Sequence, residues 1–290
     1  MKKVLKIFAL AGAVVSLGAC QLTKDQDVQD KPGHGDNVLE LPKDSEPDNY
    51  DFTRKILLIQ FTGTGCGYCP FMVNALNDLA TTHGDKFVWT SCHAYNSNDP
   101  AYLGGLLPNA MGVDGFPYVA LDLNPSTGFS NYSTTSATLA NAKREFDKEY
   151  DAEYAKAGIA VANVLKDNVL TVRTGIKVAE DGEYRVGVWV LEDDIHATQA
   201  NYGATGTFNV HNNCIRLISG QTGRDFSGIP VYLEAGDVFE DEVSFELPSK
   251  VKGENCHVVV FVSTERNEKF YVNNAVDCPL NDSVGYSYSE

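Results

Sequence analysis

Two kinds of hydrophobic pattern run along this chain, and the change from one to the other divides it. Over residues 50–157, short apolar runs alternate with segments of helical period. Ile56–Ile59 is an unbroken apolar run, which predicts a buried strand. Phe71–Leu79 follows, with Met72, Leu76 and Leu79 at the spacing of one helix face. Lys86–Tyr95 predicts a second strand. After a connection rich in Gly, Asn and Pro, Tyr102–Met111 reads as a short helical piece, and Gly115–Leu123 as a third strand with proline at its start. Leu139, Ala142, Phe146, Tyr150 and Tyr154 then recur on one stripe and predict a helix over Thr135–Lys156.

From residue 158 onward strand-like runs dominate: Ile159–Leu165, Val169–Val178, Tyr184–Leu191, Val243–Leu247 and His257–Val262. Val243, Phe245 and Leu247 alternate with Ser244 and Glu246, the period of a half-buried strand. Lys166-Asp167-Asn168 and Glu180-Asp181-Gly182 supply turn signals between runs. No long amphipathic helix and no internal repeat is visible. The expected architecture is an α/β domain over 50–157 followed by an all-β, immunoglobulin-like sandwich over 158–290.

The first nineteen residues read as an address. Lys2, Lys3 and Lys6 form a basic start, and Ile7–Gly18 is an apolar stretch short for a membrane span. It ends in Leu17-Gly18-Ala19-Cys20, which resembles the lipobox of bacterial lipoproteins. That resemblance implies cleavage before Cys20 and acylation of its thiol, so residues 1–19 are a signal peptide. No other segment is apolar enough to cross a bilayer, so contact with the membrane is through the N-terminal lipid only. Residues 20–49, poor in large apolar side chains, read as a lipidated flexible tether. Its opening, Gln21–Asp27, resembles the acidic signals that send some Bacteroidetes lipoproteins to the cell surface. A plain solubilising linker is the other reading. The expected location is the outer membrane, at its surface or on its periplasmic face.

The formal charge of the whole chain is -16, and loss of the three leader lysines makes the mature chain more acidic still. Such a body argues against nucleic acid and anionic lipid surfaces as partners. Export permits disulfides. Setting Cys20 aside leaves Cys66, Cys69, Cys92, Cys214, Cys256 and Cys278.

Cys66-Gly67-Tyr68-Cys69 carries the candidate chemistry. Two thiols three positions apart stand where a strand gives way to a helix, and the positive end of the helix dipole favours a thiolate there. In such a pair Cys66 would be the nucleophile, with Cys69 resolving the mixed disulfide. A structural disulfide is the bland alternative. Half of a zinc site completed by His211 and Cys214 is a further one, weakened by the lack of a second C-x-x-C. Gly63-Thr64-Gly65-Cys66-Gly67 fits neither dinucleotide nor P-loop patterns. No cofactor and no metal are expected. Cys92 reads as a small buried hydrophobe and His93 as a residue at the solvent edge. Among Cys214, Cys256 and Cys278 at most one bridge is possible. Cys256 with Cys278, which flank a possible terminal hairpin, is the expected pair.

Phe116-Pro117, opening a later strand, resembles the proline loop that faces the dithiol in thioredoxin-fold proteins. Residues 50–157 thus resemble that fold across about a hundred positions. The resemblance implies Cys66 and Cys69 as catalytic residues, and Phe116, Pro117 and Tyr68 as substrate contacts. Two positions depart from it: Gln60 stands where thioredoxins carry a buried carboxylate, and Gly65 where they carry a tryptophan. A closer resemblance is to Bacteroidetes lipoproteins related to outer membrane protein 28. It rests on Leu58-Ile59-Gln60-Phe61-Thr62-Gly63, on Cys66-Gly67-Tyr68-Cys69-Pro70, and more loosely on His211–Arg216 and Val259–Val262. It implies a thioredoxin-like domain joined to a β-sandwich, with surface exposure and adhesion among the family's proposed roles.

Two functions stay open on this reading. One is thiol–disulfide exchange on exported cysteine-containing proteins. The other is a surface binding protein or adhesin with a structural Cys66–Cys69 bridge and a protein partner, working through loops such as Asn201-Tyr202-Gly203 and Phe226-Ser227-Gly228.

Overall fold

A computed structural model describes residues 39–130 and 134–289. The predicted signal peptide and the acylation site Cys20 lie outside the described residues. The first part runs β1 (Ile56–Thr62), α1 (Cys69–His83), β2 (Phe87–His93), α2 (Leu106–Ala110), β3 (Tyr118–Leu121), β4 (Asn124–Ser130) and α3 (Thr135–Tyr150). The remainder is all strand and turn: β5 (Ala157–Lys166), β6 (Val169–Val178), β7 (Gly182–Glu192), β8 (Ile195–His196), β9 (Val210–His211), β10 (Cys214–Ile218) and β11 (Ile229–Leu233). The last strands are β12 (Val238–Glu246), β13 (Cys256–Arg266), β14 (Lys269–Pro279) and β15 (Ser283–Val284).

One sheet takes strands from both parts. Its order is β14-β13-β7-β10-β2-β1-β3-β4, and β11 adds to β7 as a ninth strand. The joint is β10 against β2, where Cys214 pairs with Ser91 in parallel and the Ser91 amide donates to the Asn213 carbonyl at 2.8 Å. A second sheet has the order β12-β6-β5-β15. This corrects the expected architecture. Strand dominates the described residues, which hold only three α-helices, and the sheet passes through residue 158 instead of stopping there. An α/β thioredoxin-like domain followed by a separate immunoglobulin-like sandwich is therefore not the fold. The physical reason is the free edge of β2: unpaired, it would expose a row of backbone donors and acceptors. β10 covers it from more than a hundred residues away.

Side chains in register share a face, so the burial pattern can be followed across the sheet. On β1, Ile56 and Leu58 point into a cluster with Met72, Leu76 and Leu79 of α1 and Phe146 of α3. Leu57, Ile59 and Phe61 point the other way, into a cluster with Trp189, Ile215 and Phe261. Val188, Val190, Val258 and Val260 meet Ile159, Val161 and Ile176 of the second sheet. The two long helices and the second sheet therefore lie on one face of the nine-stranded sheet. Helix α1 starts with Pro70, whose missing amide costs nothing in the first turn. Helix α3 is capped by Thr134, which accepts from the Ala137 amide at 3.1 Å. It ends at Tyr150, short of the predicted Lys156.

Part of the predicted tether is docked. Leu39 accepts from Arg173, and the buried Lys177 ammonium donates to Asp44 at 2.9 Å and to the Glu46 carbonyl at 2.9 Å. The expected Cys256–Cys278 bridge is absent: both are free, buried thiols in the core between the sheets. Their strand register explains this, because Cys278 is paired with Val258, not with Cys256.

Arg54 and Asp122 tie the two parts together. The guanidinium donates to Asp122 at 2.7 Å, to the Glu149 and Tyr150 carbonyls at the end of α3, and to the Asn273 carbonyl of β14. Asp122 also accepts from the Leu57 amide, and its carbonyl accepts from Val272. Asp122→Ala would leave a buried cation without its counter-ion. It should cost about 3–5 kcal/mol in urea unfolding, whereas an exposed substitution such as Tyr232→Ala should stay near zero.

His257 gives the fold a pH dependence. Burial opposes its charge, but a 2.6 Å bond to Asp277 and the Asp193 carboxylate at 3.6 Å raise its pKa to about 9. A raised cationic pKa stabilises the fold fully below the unfolded value of about 6.5, and that contribution is lost as pH rises through 9. The stability difference between wild type and His257→Gln should be roughly 1–3 kcal/mol at pH 6 and should shrink towards pH 9.5.

Candidate functional site

The C-x-x-C motif occupies the turn from β1 into α1, and Cys66 and Cys69 form a disulfide. The turn is built from main-chain bonds. The Cys66 amide donates to the Gly63 carbonyl at 3.0 Å, and the Cys69 amide to the Cys66 carbonyl at 3.2 Å. From outside, Asp99 accepts from the Thr64 amide at 2.7 Å and Asn96 from the Gly65 amide at 2.9 Å. Gly63 is required by close approach, because a Cβ there would stand 2.7 Å from the Cβ of Tyr95.

A strap from the strand-rich part covers this turn. The Gln199 amide group donates to the Gly63 carbonyl at 3.2 Å and the Cys66 carbonyl at 2.9 Å. The Ala200 amide donates to the Thr64 carbonyl, the Tyr202 amide to the Gly67 carbonyl, and Asn74 of α1 to the Thr205 carbonyl. The Tyr202 ring lies directly on Gly67, where a Cβ would meet it at 2.6 Å. Tyr202 also packs edge-on against Tyr68, with ring centroids 5.1 Å apart. The result is a shielded disulfide: Cys66 is 2% and Cys69 1% exposed.

Of the other predicted site residues, Tyr68 is exposed beside Tyr202. Phe116 packs edge-on against Tyr95 at 5.6 Å, on the other flank, and the Phe116-Pro117 bond is cis. The loop at Asn201-Tyr202-Gly203 does belong to the site, but as its cover. Phe226 does not: it is buried in the core beneath the large sheet.

His93 corrects the expectation of a solvent-edge residue. It is buried, because the segment 94–103 folds over the end of β2 and the Leu103 amide donates to its carbonyl. Its Nδ1 lies 2.8 Å from Asp99, and its Nε2 3.5 Å from the Cys214 sulfur. Burial would raise Asp99, but the His93 contact and two backbone amides hold it down at about 2. His211 stacks edge-on against His93 at 5.1 Å, and burial, then the neighbouring His93, lower its pKa.

Cys214, His93 and Asp99 thus line up as a relay, yet burial drives the Cys214 thiol well above its ordinary range. A thiol held protonated away from solvent is a poor nucleophile. Cys92 is a buried hydrophobe as expected, its thiol likewise pushed up by burial. Among the described residues no group of three or more His, Cys, Asp or Glu side chains is arranged to hold a metal ion.

Beside the disulfide, on the α1 face of the sheet, lies a cavity of about 410 Å³. Its walls are the ends of β1 and β2, the first turns of α1, and residues 199–213. The pattern of apolar residues gave no sign of it, since its polar lining comes from segments far apart in the chain. The motif His211-Asn212-Asn213-Cys214 was the one visible trace.

Fold and site together define a β-rich protein with a strapped disulfide and, beside it, a cavity at the ends of β1 and β2. The sequence pattern of the family described as outer membrane protein Omp28 matches residues 106–281, more than half of the chain, and the chain belongs to that family. It is accordingly an outer-membrane protein of the cell envelope, the location expected from its lipobox. No curated protein matches the chain.

Among solved structures, HBP35 of Porphyromonas gingivalis is similar in fold. It is 18% identical, with 83% of this chain and 80% of that chain covered and a TM-score of 0.60. A protein of Agrobacterium tumefaciens is 14% identical over 78% of this chain and 95% of that one, at a TM-score of 0.48. A domain of the outer membrane lipoprotein Omp28 from Porphyromonas gingivalis is 20% identical over 44% of this chain and 89% of its own, at a TM-score of 0.29. The last two likenesses are too distant to carry an argument.

The strap should control access to the disulfide. Loss of the two Gln199 bonds, at roughly 0.5–1.5 kcal/mol each, should speed reduction by dithiothreitol about five- to tenfold or more in Gln199→Ala. Gly67→Ala, which displaces Tyr202, should act in the same direction. Trapping the released thiols with iodoacetamide measures the rate.

Proposed function

We propose that this chain is a lipid-anchored outer-membrane binding protein in which Cys66–Cys69 is a structural staple and the neighbouring cavity is the binding site. One observation carries the reading: both cysteines are shielded, under a strap bonded to the carbonyls of Gly63, Thr64, Cys66 and Gly67. An oxidoreductase must present its nucleophilic sulfur to a substrate disulfide in line with the bond to be broken. Here Gln199 is bonded to the Cys66 carbonyl and Tyr202 lies on Gly67, over the turn that holds the buried pair. The cover costs nothing in a binding protein, because it keeps the staple oxidised and the cavity wall rigid. Acylated Cys20 supplies the attachment, and residues 39–49, docked along β6, set where the folded body hangs from it.

A second reading is thiol–disulfide exchange on exported cysteine-containing proteins. It is favoured by the position of the pair at the start of α1, where the helix dipole stabilises a thiolate. In that reaction the reduced Cys66 thiolate attacks a substrate disulfide and expels one thiolate. Cys69 then attacks Cys66, releases the second thiol and restores the Cys66–Cys69 bond, while Tyr68, Phe116 and Pro117 contact the substrate. A separate dithiol donor would have to re-reduce the pair.

The two readings divide on one experiment with the full chain. A reduction potential below about -300 mV, with no mixed disulfides trapped by Cys69→Ser in cells, is expected of the staple. A potential near those of dedicated oxidoreductases, about -120 to -270 mV, together with trapped partners, would replace it with the exchange reading.

A further inference from the structure

The strap over the disulfide is a loop with a closed base. Residues 197–209 leave β8 and return through β9, and β8 pairs with β9 alone among the described residues. At the base the Ala197 amide donates to the Asn209 carbonyl and the Gln199 main-chain amide to the Asn209 side chain, both at 3.0 Å. Beyond that base the loop belongs to neither large sheet. It is held down by Gln199, Ala200 and Tyr202 on the C-x-x-C turn, and by Asn74, which donates to the Thr205 carbonyl. Such a loop can dock or lift as a unit without disturbing a core strand.

Much of what it docks on lies inside the ring that the disulfide closes. The Cys66 carbonyl takes a bond from the Gln199 side chain, and the Gly67 carbonyl one from the Tyr202 amide, each at 2.9 Å. The Tyr202 ring lies on Gly67 and packs against Tyr68. Residues 66–69 are thus both the bridge and part of the seat of the strap. With the bridge cut, the two sulfurs must move from bonding distance to van der Waals contact. Cys66 and Cys69 are 2% and 1% exposed and do not line the cavity, so that room has to come from what covers them.

The same loop also forms cavity wall. Gln199, Gly206, Thr207 and Phe208 line the cavity, together with Pro70 beside Cys69 and Trp89 of β2. Gln199 stands in both places, bonded to the turn and lining the cavity. A change at the disulfide therefore reaches the cavity wall through one continuous stretch of chain.

We infer that formation of the Cys66–Cys69 bond docks the strap 197–209 and so closes the cavity wall, which makes the cavity a site completed by oxidation. The inference rests on the binding-protein reading above and adds how its cavity is switched. Thiols are kept reduced in the cytosol, so the pair is oxidised after export, by a disulfide-bearing oxidant. The Cys66 thiolate attacks one sulfur of that oxidant, and the other leaves as a thiolate. The Cys69 thiolate then attacks the Cys66 sulfur and displaces the first. Two electrons pass to the oxidant, and the protons of Cys66 and Cys69 end on its two thiols. A dithiol reductant runs the sequence backwards and lifts the strap.

Docking and oxidation are linked, so each favours the other by the same factor. This separates the switch from simple shielding. A cover bonded equally well to both redox states slows reduction without moving its equilibrium, whereas a strap that prefers the oxidised turn moves both.

The test uses the purified full chain, oxidised and after reduction by dithiothreitol, with hydrogen exchange read amide by amide. The Ala200 and Tyr202 amides should exchange at least tenfold faster in the reduced chain, while Val259 in the core of β13 stays protected. Acrylamide should quench Trp89 more strongly in the reduced chain; the other tryptophan, Trp189, is fully buried. In dithiothreitol redox buffers the disulfide should be at least fivefold easier to reduce at equilibrium in Gln199→Ala, a shift of about 20 mV. Tyr232→Ala on β11 should leave that equilibrium unchanged.

Equal protection of Ala200 and Tyr202 in the two states overturns the inference. So does a Gln199→Ala chain that is reduced faster but at the wild-type potential. Loss of protection at Val259 as well also overturns it, because the bond would then hold the fold and not the strap. Equal protection with a potential below about -300 mV would leave the binding protein standing without the switch. Mixed disulfides trapped by Cys69→Ser, beside a strap that lifts on reduction, would remove the binding-protein reading and keep the coupling.

Discussion

Everything distinctive in this structure depends on the pairing of β10 with β2. The contact is small, a parallel register of Cys214 with Ser91 and a bond from the Ser91 amide to the Asn213 carbonyl. It nevertheless joins two strand systems into one sheet. Parallel neighbours need a long crossover, and here the crossover is residues 94–213, from the end of β2 to the start of β10. The chain that enters β10 must pass over the end of β1, which brings residues 199–205 onto the C-x-x-C turn. Sheet continuity and the shielding of the disulfide therefore have one origin.

The junction is held by polar groups that are costly to leave unpaired. Arg54 bridges Asp122, the end of α3 and β14. Asn273 and Asn274, in the middle of β14, bond the Lys156 and Lys55 amides and the Ala157 carbonyl. Isolated, each would carry a desolvation penalty, and together they fix the relative position of elements that apolar packing alone would leave free to slide. This accounts for a core divided into clusters on the two faces of one sheet, not into two domains.

Much of the local structure was legible. The unbroken run Ile56–Ile59 and the stripe through Met72, Leu76 and Leu79 fall within the strand and helix they predicted, and the alternation at Val243–Leu247 overlaps β12, with Leu247 one residue past its end. The turn Lys166-Asp167-Asn168 is legible for the same reason, with Asp167 and Asn168 at positive φ between β5 and β6. What failed was long-range. β14 is broken by Asn273 and Asn274, so it does not read as a buried strand. β4, Asn124–Ser130, has the composition of a loop, and β10 is five residues long. Local patterns gave a sound order of elements for residues 50–157, but they carry no information on which strand covers the free edge of β2. The resemblance to thioredoxins led to two domains for that reason. In the candidate site, Cys66 and Cys69 were legible from spacing, whereas Gln199 and Tyr202 owe their roles wholly to tertiary placement.

Gln60 is where sequence and structure meet. On sequence alone it was a deviation, a neutral amide where a redox protein keeps a proton acceptor. In the structure, a carboxylate at this position would sit buried beside the Trp89 indole, on a wall that carries His93 and His211 but no Lys or Arg. Burial would raise its pKa and favour the protonated form, which suits proton transfer. An amide avoids that titration, and its oxygen accepts from the Trp89 indole at every pH. The same substitution thus removes a group that exchange chemistry needs, at the same end of β1 where the strap shuts the disulfide away.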